Sequence, residues 1–173
     1  MTRPTSDRLR ETLFNILAPR INASRFLDIC AGSGAVGIEA LSRGAGEVTF
    51  IEHARDACTV IEANLKTLGI GGCAAIHRRT ASVALASFEQ VSKQEEEHGS
   101  KRFDIVFFDP PYTSQIYDSV MTQLGSGKLL ASGGIVVVEH RSRTPLEPQY
   151  DKLHRFRELK QGESALAFYE LRD

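Results

Sequence analysis

Cysteine is scarce in this chain, long apolar runs and internal repeats are missing, and net charge is nearly absent. Each shortage excludes something. The 173 residues hold three cysteines, Cys30, Cys58 and Cys73. They form neither a CxxC pair nor an even set, which argues against a disulfide framework and a cysteine-based zinc site and points to a reducing cytoplasm. No apolar stretch approaches the roughly 20 residues of a membrane span, and the polar opening Met1-Thr2-Arg3-Pro4 is not a secretory signal. A cytoplasmic protein without a membrane partner is expected. No linker divides residues 1–173, so one domain is expected, long enough to bury a real core. Nothing in the pattern demands more than a monomer.

The net charge of −1 hides an uneven distribution. Residues 1–20 carry four arginines against two acids, and residues 141–160 carry six cations against three acids. Between them, Glu89 to His98 holds four glutamates and one lysine. Basic ends around an acidic middle permit phosphate binding on one face, although a mixed, solvated surface would look the same on charge alone.

What is present is an alternation of helix-like and strand-like periods. Ser6 to Leu17 reads as an amphipathic helix, capped by Thr5 or Ser6 and stopped by Pro19. Arg25 to Ile29 reads as a strand running into a glycine loop, Val36 to Ser42 as a helix ended by Gly44. Strand 47–51, helix 54–68 and strand 74–77 follow, then a weaker helix over 83–91 that fades into the polar stretch 92–100. Strand 103–108, helix 115–124 and strand 135–139 complete the alternation. Residues 153–159 and 165–171 read as a hairpin closing around Gln161-Gly162-Glu163. Strands alternating with helices predict a doubly wound α/β domain, a parallel sheet covered on both faces, here with an antiparallel edge.

Two segments carry chemistry. In Asp28-Ile29-Cys30-Ala31-Gly32-Ser33-Gly34-Ala35-Val36-Gly37, the glycines satisfy GxGxxG, and Glu52 follows Gly32 by 20 residues. That is a literal dinucleotide fingerprint, so an NAD-dependent oxidoreductase is a serious rival. Asp28 argues against it. A carboxylate at the mouth of the strand would oppose a pyrophosphate, which needs the positive end of a helix, whereas the sulfonium and ammonium of S-adenosylmethionine favour an acid there. Glu52 suits the ribose of either ligand.

The second segment is Asp109-Pro110-Pro111-Tyr112, directly after a buried strand. Consecutive prolines remove two backbone donors and stiffen the chain. The lone pair of an exocyclic base amine is delocalised into its ring, so the amine is a poor nucleophile. The Asp109 carboxylate and the Pro110 carbonyl could each accept one amine N–H, with Tyr112 stacked on the base. Catalysis would then rest on positioning and fixed dipoles. The bland alternative is a strand-ending turn.

Together these residues resemble the bacterial RsmD family of 16S ribosomal RNA guanine-N2 methyltransferases. The likeness starts at Arg3-Pro4-Thr5-Ser6-Asp7-Arg8-Leu9-Arg10-Glu11 and Leu13-Phe14-Asn15-Ile16-Leu17. It continues through residues 26–34 and Gly37-Ile38-Glu39-Ala40-Leu41-Ser42-Arg43-Gly44-Ala45 to Glu52, Asp109–Tyr112 and the strand of Glu139. The family usually places a basic, strand-forming segment ahead of the Arg-Pro-Thr motif, almost at which this chain opens. The resemblance implies a seven-stranded Rossmann-like methyltransferase sheet, S-adenosylmethionine as cofactor, and a guanine of 16S ribosomal RNA or the small ribosomal subunit as substrate. It places Asp28, Cys30, Ala31, Gly32, Ser33 and Gly34 at the methionine end and Glu52 on the ribose. It also implies that Asp109, Pro110, Pro111 and Tyr112 receive the guanine, looped out or flipped.

Many methyltransferases read the adenine with an acid or amide after the third strand. Here Arg78-Arg79-Thr80-Ala81-Ser82 has neither, so Thr80, Ala81 or a backbone group is expected to serve. His53 is either near the adenosine or simply solvent-facing. Arg3, Thr5, Arg8 and Arg10 either meet RNA phosphates or coat the first helix. His140 and His154, without partners at metal-ligand spacing, read as surface residues, and Gly125-Ser126-Gly127-Lys128 as a turn. No metal is expected. A DNA adenine or cytosine amino-methyltransferase shares the chemistry, but a chain this short leaves no room for a separate target-recognition domain.

Overall fold

The computed structural model describes residues 6–94 and 102–173, so Arg3 and Thr5 lie outside the described residues. Helix α1 (Asp7–Ile21) begins where Ser6, in extended conformation, accepts the Leu9 N–H at 3.3 Å, satisfying one orphan donor of the first turn. Leu9, Leu13, Phe14, Leu17 and Ile21 recur at helical spacing and are all buried. The helix runs past Pro19, where the sequence pattern ended it. Ile21, one turn after Leu17, buries in the same apolar cluster. That packing holds the last turn despite the N–H missing at Pro19.

From there the chain alternates: β1 (Arg25–Ile29), α2 (Ala35–Ser42), β2 (Glu47–Ile51), α3 (Arg55–Leu68), a short 3-10 turn and β3 (Ala74–His77). Then come α4 (Ala81–Gln94), β4 (Phe103–Phe108), α5 (Tyr117–Gly125) and β5 (Leu130–Arg141). The chain closes with β6 (Gln149–Tyr150), β7 (Leu153–Gln161) and β8 (Ser164–Leu171). Gly69, in the left-handed region at φ 68°, ends α3 by donating to the Leu65 and Lys66 carbonyls. Residues 125–128 form the expected turn, with Gly127 at φ 76°.

The sheet has eight strands in the order β3-β2-β1-β4-β5-β8-β7-β6, not the expected seven. The extra strand, β6, has two residues paired to β7, too few to leave a period in the sequence. Strands β1 to β5 are parallel, and β8 and β7 complete the antiparallel edge. β5 starts five residues before its apolar run. Its register against β4 jumps between Phe103 and Ile105, and Gly133 at φ 73° sits in the irregular stretch, as at a bulge.

Two apolar clusters cover the two faces. Helices α1, α2 and α3 pack on Phe26, Phe50, Ile105, Phe107, Val137 and Phe168. Helices α4 and α5 pack on Leu27, Ile29, Val106, Phe108, Val136 and Val138. Side chains alternate between the clusters along β4 and β5, as two-sided burial of a parallel sheet requires. Burying each such side chain contributes roughly 1.5–3 kcal/mol. The chain order reverses at β1, which has β2 on one side and β4 on the other. The crevice beyond the carboxyl ends of β1 and β4 is therefore the expected ligand position.

Candidate active site

The two segments singled out in the sequence meet at that crevice. β1 delivers Asp28 and Cys30, β2 delivers Glu52, and β4 delivers Asp109, whose N–H donates to the Ile29 carbonyl at 3.2 Å. The loop after β1 is compact: Cys30 (φ 61°), Gly32 (φ 57°) and Gly34 (φ 78°) are left-handed, and Gly34 N–H donates to Ala31 O at 2.8 Å. A non-glycine residue in this region stores roughly 1–3 kcal/mol of strain, a feature that clusters at functional sites. A Cβ on Gly32 would meet nothing within 4 Å, so the loop opens there. Gly37 serves packing instead, since a Cβ would lie 2.9 Å from Val48 Cγ1 and 2.8 Å from Phe50 Cζ.

The carboxylates are held by backbone donors. Asp28, 2% exposed, accepts the Gly37 N–H at 3.0 Å. Glu52, 7% exposed, accepts Gly32 N–H on one oxygen and Ala54 N–H on the other, both at 2.8 Å. Burial lifts the Asp28 carboxyl from 3.8 to about 7, the Gly37 bond opposing the rise and the Glu52 charge adding to it. Burial and the surrounding charges of Glu52, Asp109 and Asp28 push the Cys30 thiol up to about 12. The crevice is lined by carboxylates whose charge grows as Asp28 ionises near neutral pH, and its thiol stays protonated.

Of the remaining expected cofactor contacts, Ser33 is exposed in the loop. His53 is also exposed, with Nδ1 3.3 Å from a Glu52 oxygen. Thr80 and Ala81 lie where α4 begins, on the rim after β3, near His77, whose carbonyl accepts the Glu52 N–H. Burial, with Arg79 nearby, holds the His77 imidazole below its ordinary value. A cavity of about 530 Å³ opens elsewhere, between α4 and the amino-terminal parts of β2 and β3, and contains none of these cofactor candidates.

On the other side of β4, Pro111 O accepts the Ser114 N–H at 2.8 Å, while no described donor reaches the Pro110 carbonyl. Tyr112 is fixed by residues to which the sequence reading gave no role in the site. Its hydroxyl donates to Glu139 at 3.2 Å and lies 2.6 Å from Ser164 Oγ. The Arg141 guanidinium sits over its ring at 5.4 Å. Tyr117 donates to the Glu139 carbonyl at 3.3 Å and packs on Phe108. Of the arginines expected at RNA, Arg8 is exposed. Arg10 is ion-paired to Glu39 at 2.6 Å and Asp7 at 2.9 Å.

One expectation fails outright. His140 is 1% exposed rather than on the surface. It follows Glu139 at the end of β5, beneath the turn that leaves the strand, with Nδ1 2.9 Å from Arg141 O and 3.0 Å from Thr144 O.

The family described as conserved hypothetical protein 95 matches residues 1–170. The chain belongs to the RsmD methyltransferase family. Ribosomal RNA small subunit methyltransferase D of Escherichia coli K12 is 35% identical over 97% of this chain and 79% of its own length. The Haemophilus influenzae protein of the same name is 37% identical over 83% of this chain and 70% of its own. The solved structure of yhhF from Escherichia coli superposes with a TM-score of 0.81 at 35% identity, covering 98% of this chain and 87% of that one. In this RsmD-family fold, the acidic crevice and the Asp109–Tyr112 segment share one rim of the sheet.

Proposed function

We propose that this RsmD-family protein transfers a methyl group from S-adenosylmethionine to the exocyclic N2 amine of a guanine in 16S ribosomal RNA, free or in the small subunit. The observation that carries the cofactor assignment is where the loop's N–H groups go. A pyrophosphate would need the amino end of α2 and the glycine N–H groups, but Asp28 already takes Gly37 N–H and Glu52 takes Gly32 N–H. The protein's own carboxylates fill the anion site. What remains is a negative crevice with an open Gly32 face, which suits a cationic, ribose-bearing ligand and disfavours NAD. His53, Thr80 and Ala81 are proposed at the adenosine side.

When bound, S-adenosylmethionine supplies an electrophilic methyl on a cationic sulfur. The chain supplies orientation. Asp109 and the Pro110 carbonyl each accept one N–H of the guanine amine, so that its lone pair turns toward the crevice. Pro111 is committed to its turn, which keeps Pro110 stiff. Tyr112, braced by Glu139 and Ser164, supports the base. The nitrogen sheds one proton to Asp109 or water after alkylation, so Asp109 need not be a strong base. The likeness to proteins named for small-subunit ribosomal RNA favours RNA over DNA.

Transfer of labelled methyl to small-subunit particles, naked 16S RNA and DNA tests this reading. Label is expected in RNA, at guanine. Labelled DNA with unlabelled RNA would overturn the substrate, and tight NAD binding without methyl transfer would overturn the chemistry.

A further inference from the structure

Charge divides the catalytic rim into two halves. Asp28, Glu52 and Asp109 gather over β1, β2 and β4, while Arg141, Arg143 and Lys160 stand at the ends of β5 and β7. Ser164 pairs with Arg141 on one side and Gln161 on the other, so these strand ends lie side by side. The Thr12 hydroxyl lies 3.3 Å from Gln161 Oε1, which brings the first turns of α1, and Arg8 with them, to the same end of the sheet.

This half is rigid. Thr144 N–H donates to Arg141 O at 3.0 Å, and buried His140 bonds from below to the carbonyls of both residues. Ser142 ties the turn to the closing hairpin, its N–H donating to Glu163 O at 2.9 Å and its hydroxyl to Gly162 O at 3.0 Å. Of the nearby carboxylates, Glu139 accepts from Tyr112, Glu158 faces His140 and Arg155, and Glu163, in the hairpin turn beside Ser142, has an interaction of its own. Arg10, Arg25, Arg43, Arg155 and Arg172 have carboxylate partners. Among the described residues Arg8, Arg143 and Lys160 have none, and Arg141 rests only on the Tyr112 ring.

We propose that the turn 141–144 and the end of β7 form the seat for the RNA backbone beside the flipped guanine, with Arg141, Arg143, Lys160 and Arg8 meeting phosphates. The proposal rests on the reading of an RNA substrate and adds where that substrate lies. Exposed cations on a braced turn fix the register of a nucleic acid without reading its sequence. Arg141 marks the pocket end of the track, because its guanidinium already touches the tyrosine assigned to the base.

The test is binding of in vitro transcribed 16S RNA between 50 and 200 mM salt, comparing the wild type with an Arg143→Ala/Lys160→Ala double variant and a Lys66→Ala control on α3. Both seat side chains are exposed, so the double variant should melt with the wild type and bind S-adenosylmethionine equally well. RNA affinity at 50 mM salt is expected to fall at least tenfold. The slope of log K against log salt should flatten by about 0.7–0.9 for each lost phosphate contact. KM for RNA should rise with kcat within twofold. An unchanged slope, an equal effect in Lys66→Ala, or no salt-dependent RNA binding by the wild type would overturn the seat. Salt-dependent binding without methyl transfer would instead overturn the proposed reaction and leave the seat standing. RNA methylation with a slope shared by the double variant would do the reverse.

Discussion

Replacing Asp28 with asparagine is expected to stabilise the free protein at neutral pH while weakening cofactor binding. The carboxyl is 2% exposed and accepts Gly37 N–H. Burial lifts it from 3.8 to about 7, so the folded chain holds this proton more tightly than the unfolded one. The associated stability is fully present below the unfolded value and is lost as pH rises through about 7. At about 1.36 kcal/mol per pH unit, that rise sets at most about 4 kcal/mol against the ionised form. An asparagine oxygen can still accept Gly37 N–H but never ionises. Allowing for its unpaired amide, a gain of roughly 1–3 kcal/mol is expected near pH 8, or several degrees in Tm. A cationic cofactor reverses the preference. It favours ionised Asp28, so binding should tighten about tenfold between pH 6 and 8 and release protons below pH 7. Thermal melts and titration calorimetry across that range, on both proteins, measure the two effects. A wild-type Kd flat from pH 6 to 8, or an Asp28→Asn variant that binds as tightly as wild type at pH 8, would refute the role given to this carboxylate.

Other consequences follow from the same geometry. Asp109→Ala should keep S-adenosylmethionine affinity within about threefold while kcat falls on the order of 10²–10³, the scale of losing one fixed transition-state contact. Equal loss of binding and turnover would contradict its assignment to the amine. Glu52→Gln leaves Gly32 or Ala54 N–H without its acceptor. About 1–3 kcal/mol of stability should go with it, and cofactor affinity should drop at least tenfold by calorimetry. Gly37→Ala would force a methyl against the buried side chains of Phe50 and Val48. It should cost about 1–3 kcal/mol, read as a Tm lowered by roughly 3–10 °C.

The parts legible in the sequence were those whose physics is local. β2, β3 and β4 show as short apolar runs between turn signals, and the structure keeps the sequence-read bounds. Asp28, the glycines and Asp109–Tyr112 were readable because each pairs a residue type with a strand-end position. Pro19 misled because burial of Ile21 outweighs a local propensity. His140 misled because burial beside a turn carbonyl leaves no periodic trace. Glu139, Ser164 and Arg141 reach Tyr112 only through the register of β5 on β8, which no short window encodes.

The same distinction explains why a net charge of −1 was a poor guide to partners. The strand order puts residues 28, 52 and 109 over β1, β2 and β4, and residues 141, 143 and 160 beyond β5 and β7. Acids at 28, 52 and 109 and cations at 141, 143 and 160, spread over most of the chain, become two separate fields on one rim. On the proposed reading, an acidic crevice for a cationic methyl donor sits beside a basic platform for a polyanion. On that reading a uniformly basic rim would bind RNA as well but would repel the donor, whereas here Asp28 and Glu52 are buried against backbone donors and Arg141, Arg143 and Lys160 stay exposed.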